Sequence, residues 1–131
     1  MASTTIDSDM RVLRGDTATV TMTLVKPDAN GKPQPFPIAP TTHEVWFTVK
    51  DDTNDADGGA WIRKKMSSGE IATRLAPNDH VIDLTISAGE TGTMPPGTYF
   101  YDAQVKVLAS GEVRTMAIGR FIVLPDVTRA T

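Results

Sequence analysis

The segment from Thr17 to Val25 alternates strictly between polar and apolar side chains, and this period of two residues constrains the fold more than any other feature. Threonine occupies positions 17, 19, 21 and 23, and apolar residues occupy positions 18, 20, 22 and 24. Because successive side chains of a strand point to opposite faces, we predict a β-strand with one face in a core and one in water. The same alternation recurs at 45–50, 81–86 and 99–107.

The spacing of these segments predicts the class of fold. With turn residues between them, seven or eight strands follow one another at intervals of about ten residues, which is typical of an immunoglobulin-like antiparallel β-sandwich. The 18 threonines, 11 valines and 8 isoleucines support strands, since β-branched residues fit a pleated surface. A small open barrel is the alternative. A disulfide-linked antibody domain is excluded because the chain has no cysteine.

The 131 residues suffice for one domain. We predict a flexible arm at 1–9, the β-sandwich at 10–124 and a polar tail at 125–131. The segment 26–42 carries five prolines and is expected to cross between the sheets as an extended connection. We expect this connection to cover Trp46, although exposure of Trp46 to a partner is the alternative. Ser87 and Glu90 have the spacing of a capping box, which predicts one helical turn, and a slip in the alternation near Gly119 predicts a β-bulge.

Composition narrows the classes of function. Without cysteine the chain has neither a thiolate nucleophile nor a cysteine-based zinc site, and His43 and His80 are its only histidines. Neither histidine lies in a known nucleophile motif. The formal net charge of −3 argues against a broad nucleic-acid surface. We therefore predict no enzyme activity, catalytic residue, cofactor, metal site, nucleic-acid partner or small-molecule substrate.

Neither a secretion signal nor a membrane segment is predicted. The first residues form neither a basic nor an apolar region of a signal peptide, and no stretch approaches the roughly 18 apolar residues that span a bilayer. We expect a protein that stays in a cytoplasm or is assembled there into something larger.

Two local motifs allow both a functional and a structural interpretation. Residues 14–16 read Arg-Gly-Asp, the tripeptide that integrins bind, but here Gly-Asp leads directly into a strand, which favours a turn. The acidic loop 51–58 suggests a calcium site, yet an EF-hand register places Thr53 and Lys64 at positions that require carboxylates. We prefer a solvated hairpin tip, and a looser calcium site at 51–58 stays open.

Three blocks and a final strand carry a resemblance to a known family. The blocks are Arg14-Gly15-Asp16-Thr17, the run Val45 to Lys50 (VWFTVK) and the run Pro96 to Asp102 (PGTYFYD), and the final strand reads FIVLPD at 121–126. Over residues 10–128 the chain resembles immunoglobulin-like structural proteins of tailed bacteriophages and is similar to the N-terminal domain of siphophage baseplate upper proteins.

The resemblance implies a non-enzymatic virion structural protein, assembled in the host cytoplasm and bound to other virion proteins in symmetric multiple copies. The tail, baseplate or neck is the expected position, and capsid decoration is the alternative. A carbohydrate- or cell-surface-binding sandwich and, more remotely, a small hydrolase are the competing classes. The residues we expect to contact partners lie in the arm, in the proline-rich connection and after the acidic loop: Thr4, Thr5, Ile6, Phe36, Ile38 and Trp61.

Overall fold

The protein is a β-sandwich, and the predicted all-β fold is confirmed. The computed structural model describes residues 6–7, 9–51 and 60–125. Within these residues the chain forms eleven strands and one short helix in this order: β1 Ile6–Asp7, β2 Met10–Leu13, β3 Ala18–Thr23, β4 Val25–Pro27, β5 Pro33–Pro35, β6 His43–Lys50, β7 Ile62–Lys65, β8 Ile71–Thr73, β9 Val81–Ile86, α1 Ala88–Gly92, β10 Gly97–Val107 and β11 Val113–Leu124.

Two sheets form the sandwich. The larger sheet has the order β11-β10-β6-β7, with β1 and β2 both paired to β11, and the smaller has the order β3-β9-β8. This order is that of an immunoglobulin-like domain, in which the chain crosses between the two sheets several times. The short strands β1, β4 and β5 raise the count above the predicted seven or eight.

The two N-terminal strands depart from the prediction in direction. Both β1 and β2 pair parallel to β11, whereas the other strand pairs are antiparallel. Ile6–Asp7 therefore forms a strand within the segment 1–9 that we expected to be a flexible arm. Alternation predicts which side chains enter a core, but it does not fix the direction of a short terminal strand.

A single core lies between the two sheets. Phe47 and Phe121 of the larger sheet and Ile82 and Ile86 of the smaller are completely buried in one cluster. Phe47 stacks on Tyr101 with ring centroids 5.7 Å apart. Burying a large apolar side chain of this kind contributes about 1.5–3 kcal/mol, so this cluster is the main source of stability.

Two local predictions have different outcomes. The capping box is present: Ser87 Oγ accepts a hydrogen bond from the Glu90 backbone N–H, and the Glu90 carboxylate accepts one from the Ser87 backbone N–H. The bulge lies earlier than predicted. Met116 and Ala117 are both buried, and the register with β10 shifts beside them, before Gly119. No helix in the described part of the chain is long and apolar enough to cross a membrane.

Candidate interaction surface

The outward face of the larger sheet carries two neighbouring grooves. Strand alternation places Tyr101 and Ala103 of β10 in the core and leaves Phe100, Asp102 and Gln104 on the outside. The register brings these three residues opposite β6 on one side and β11 on the other. We call this outward face of β6, β7, β10 and β11 the sheet surface.

An apolar groove occupies one half of the sheet surface. It has a volume of about 710 Å³ and lies between β6, β10 and β11. Phe100 and Ile118 supply apolar lining, and the Ile118 side chain is 43% exposed. Gly119 lines the groove between Ile118 and Arg120.

An ion pair between Arg120 and Asp9 lines the apolar groove. The Arg120 guanidinium donates to both carboxylate oxygens of Asp9, at 3.2 and 2.7 Å. The Arg120 side chain, through this hydrogen bond, lowers the pKa of Asp9 below its ordinary value. Asp9 immediately precedes β2, so the ion pair also fastens the N-terminal segment to β11.

A second groove, of about 410 Å³, lies between β6, β7 and β10. Trp46 lies in it between Lys65 and Gln104, its register partners on the two neighbouring strands. The remaining lining is mostly basic: Lys50, Arg63, Lys64 and Lys65, with Thr48 and Asp102. Lys64 forms an ion pair with Glu90 of α1, with Nζ and Oε1 2.7 Å apart, so Arg63 and Lys65 supply the positive charge that β7 presents on the sheet surface.

The two grooves form one continuous surface because Thr48, Lys50 and Asp102 line both. An aromatic ring, an exposed branched apolar side chain and several basic groups thus lie side by side. Aromatic side chains and arginine, here Trp46, Phe100, Arg63 and Arg120, are enriched where proteins bind one another. Within residues 6–7, 9–51 and 60–125, no three histidine or acidic side chains come together in a way that could hold a metal ion.

The predicted contact residues of the arm lie at the edge of what the structure describes. Thr4 and Thr5 fall outside the described residues, and Ile6 is part of β1, beside Ala117 of β11. The acidic loop also falls outside them, except for Asp51. The arm contacts and the calcium site stay predictions.

The predicted contacts in the proline-rich connection are wrong for its two large apolar side chains. Phe36 and Ile38 are 7% and 3% exposed and belong to the core. The Phe36 N–H donates to the Leu24 carbonyl, and the Ile38 N–H donates to the Asp79 carbonyl. These bonds draw the connection against the smaller sheet and turn both side chains inward, so neither is available to a partner.

Trp61 is 39% exposed and stays a candidate contact. Its indole N–H donates to Asp51 Oδ1 at 2.8 Å, and its ring meets the edge of Tyr99 with centroids 5.9 Å apart. The Tyr99 hydroxyl donates to the Pro95 carbonyl, an arrangement similar to the tyrosine corner of immunoglobulin-like domains. Burial and the nearby Asp51 carboxylate raise the pKa of Tyr99.

The Arg-Gly-Asp motif has the structural role we preferred. Gly15 has a φ of +85°, a left-handed conformation that favours glycine, in the turn between β2 and β3. The Thr91 hydroxyl in α1 accepts a hydrogen bond from the Gly15 N–H at 3.1 Å and donates one to the Asp16 carbonyl at 2.7 Å. The motif therefore fastens the turn to the helix.

The residues predicted to contact partners did not include Phe100 and Ile118. The alternation of β10 already assigned Phe100 to the outward face, and an aromatic side chain on that face was the available signal. The early bulge hid Ile118 because it reverses the alternation beyond it. The described residues around Trp46 come from β6, β7 and β10 rather than from the proline-rich connection expected to cover it.

Comparison with known proteins finds a partial similarity to an enzyme. No protein-family model matches the chain. It is 27% identical over 77 residues to an AA9 family lytic polysaccharide monooxygenase D from Gloeophyllum trabeum. The similarity covers 53% of this chain and 22% of that protein. The chain thus spans about a fifth of the relative it matches.

Proposed function

We propose that this chain is a non-enzymatic structural protein of a tailed-phage virion, located in the tail, baseplate or neck, and that it binds other virion proteins through the sheet surface. The resemblance to phage immunoglobulin-like structural proteins supports the setting. Its blocks fall on the turn before β3, on β6 and on the first half of β10. Of the four strands that line the two grooves, β6 and β10 are the two that line both.

The observation that carries the proposal is the continuity of the two grooves. A surface that combines Phe100, Ile118 and Trp46 with a basic rim is suited to a protein partner with an apolar centre and acidic edges. Apolar groups supply the buried centre of such contacts, and the charges select and orient the partner.

The surroundings of the two histidines do not favour a catalytic role. His43 Nδ1 lies 2.7 Å from the Thr42 hydroxyl, and its ring meets Phe36 edge-on. His80 is in the turn before β9, where its carbonyl accepts a hydrogen bond from the Leu24 N–H. A general base needs a nucleophile or substrate proton within hydrogen-bond reach, and neither position offers a nucleophile paired with a buried orienting group.

Purified virus particles provide the direct test. We expect mass spectrometry to detect the chain in a fixed ratio to the known structural proteins, and immunogold labelling to mark the tail, baseplate or neck. Labelling over the head would support capsid decoration instead. Particles that infect normally and lack the chain would overturn the proposal.

A matched pair of substitutions tests the surface. Ile118→Lys places a charge in the apolar groove, where docking would have to desolvate it. Leu75→Lys makes the same change at a leucine that is 90% exposed and lies outside both grooves. We expect Ile118→Lys to lose incorporation into particles and Leu75→Lys to keep it, with unchanged circular dichroism for both. Equal incorporation would refute the assignment of this surface.

Polysaccharide binding is the second candidate, and two observations favour it. The protein with partial similarity is named as a polysaccharide monooxygenase. In addition, the second groove combines Trp46 with Gln104 and Asp102. Sugars stack on aromatic rings and form hydrogen bonds with amide and carboxylate groups. Binding on a glycan array that Trp46→Phe reduces and Trp61→Phe leaves intact would favour this function. An array without binding would exclude the tested glycans.

A further inference from the structure

The strand β3 forms an open edge of the smaller sheet. Its six residues pair with β9 on one side. The preceding strand β2, which could have covered the other side, pairs with β11 in the opposite sheet, as does β1. Among the described residues, no strand pairs with the second side of β3.

The pairing with β9 fixes which backbone groups face this open edge. The Leu24 N–H donates to the His80 carbonyl, in the same register as the rest of the pair. Hydrogen-bonded pairs alternate along antiparallel strands, so Ala18, Val20 and Met22 bond to β9. The N–H and C=O groups of Thr19, Thr21 and Thr23 therefore point away from β9, toward the open edge.

The edge lacks the features by which exposed strands avoid pairing. Edge strands are normally blocked by charged side chains, proline, bulges or short length. Two other edges of the sandwich follow this rule: β7 carries Arg63, Lys64 and Lys65, and β8 has three residues and is followed by Arg74. The strand β3 reads ATVTMT, without charge, proline or bulge, in a chain that is 22% charged.

We propose that β3 pairs antiparallel with β3 of a second copy of this chain, about a two-fold axis at Thr21. In this register Thr21 faces Thr21 of the other copy, and Thr19 faces Thr23. All three outward-facing residues of each copy then exchange backbone hydrogen bonds, and the two smaller sheets merge into one of six strands. The half-buried Val20 lies opposite Met22 of the other copy and becomes covered.

The symmetry of the edge favours a second copy over a foreign strand. A two-fold contact requires a surface that complements itself. A neutral strand with threonine at every second position meets this condition, because the pairing sets no like charges opposite one another. The strand β3 belongs to the smaller sheet, whereas the sheet surface is formed by the larger one. The pairing of two β3 strands can therefore be tested independently of the proposed function.

Single cysteines test the register, since the natural chain has none. Paired residues in an antiparallel ladder have Cα atoms about 5.5 Å apart, which a disulfide can bridge. We expect Thr21→Cys to form a covalent dimer under mild oxidation. In the proposed register, two Thr19→Cys sites lie about 14 Å apart along the strands and should not link. Thr85→Cys, on the interior strand β9, is the matched control and should not link either.

Sedimentation of the intact chain tests the dimer. We expect a dimer for the natural chain and for Thr85→Lys, and a monomer for Thr21→Lys, because the latter sets two lysines opposite each other across the axis. A monomeric natural chain, or equal cross-linking of Thr21→Cys and Thr85→Cys, would overturn the pairing. So would cross-linking of Thr21→Cys in particles to a different virion protein. A covalent Thr21→Cys dimer from a chain absent from particles would leave the pairing intact and refute the proposed function.

Discussion

Replacement of Thr91 by valine tests how the turn at residues 14–17 is held to α1. Thr91 is the one buried polar residue among those described, with no exposed surface. Valine has nearly the same shape but lacks the hydroxyl, so the Gly15 N–H and the Asp16 carbonyl both lose their partner. Leaving a buried polar group unpaired costs about 1–3 kcal/mol. Gly15 and Asp16 are exposed residues, so water can partly replace the lost hydroxyl at both groups. We therefore expect the free energy of unfolding to fall by about 1–3 kcal/mol in total, less than the sum for two fully buried groups.

Urea unfolding measures this loss. With a slope of about 2 kcal/mol per molar urea, the transition midpoint of Thr91→Val should fall by roughly 0.5–1.5 M. Thr93→Val is the matched control: it lies just after α1, is exposed, and its hydroxyl donates to the Glu90 carbonyl. We expect it to change stability by less than about 0.5 kcal/mol.

A second variant separates the hydroxyl from the methyl group. Thr91→Ser keeps the hydroxyl and removes one buried carbon, which costs about 0.8 kcal/mol. If the hydrogen bonds of the Thr91 hydroxyl hold the turn, Thr91→Val must be less stable than Thr91→Ser. If Thr91→Val proves as stable as the natural chain, or more stable than Thr91→Ser, the reasoning is refuted.

Three further changes have defined outcomes. The Arg74 guanidinium, through its hydrogen bonds, lowers the pKa of Asp83 in the folded chain. This pair therefore stabilises the fold at a pH above the pKa that Asp83 has in the unfolded chain, and the stabilisation is lost as the pH falls below about 4. Arg74→Ala should raise the pKa of Asp83 in an NMR titration and flatten this acid dependence; an unchanged pKa would contradict it. Ser87→Ala removes the helix cap and should cost about 1 kcal/mol in urea unfolding, whereas no loss would show the cap to be dispensable. Gly15→Ala forces a side chain into a left-handed conformation and should cost about 1–2 kcal/mol, measured in the same way; a neutral result would mean that the turn relaxes.

Much of the fold could be predicted from sequence because it follows from local chemistry. Alternation located β3, β6, β9 and β10, and the capping box located α1. Each of these signals depends on neighbouring residues alone.

The predictions from sequence were wrong where contacts between residues far apart in the chain determine the structure. Phe36 and Ile38 are predicted to contact a partner, but backbone hydrogen bonds to Leu24 and Asp79 hold the connection so that both side chains are buried. The bulge was placed near Gly119, whereas the register against β10 sets it at Met116 and Ala117. The grooves were missed for a related reason: they combine side chains from strands far apart in the chain.

The parallel pairing of β2 with β11 has a mechanical consequence. Met10, where β2 begins, lies beside Phe121, and Leu13 lies beside Leu124, where β11 ends. Tension between the two chain ends would therefore run along both strands in opposite directions and strain all their mutual hydrogen bonds at once, rather than peel them apart one by one.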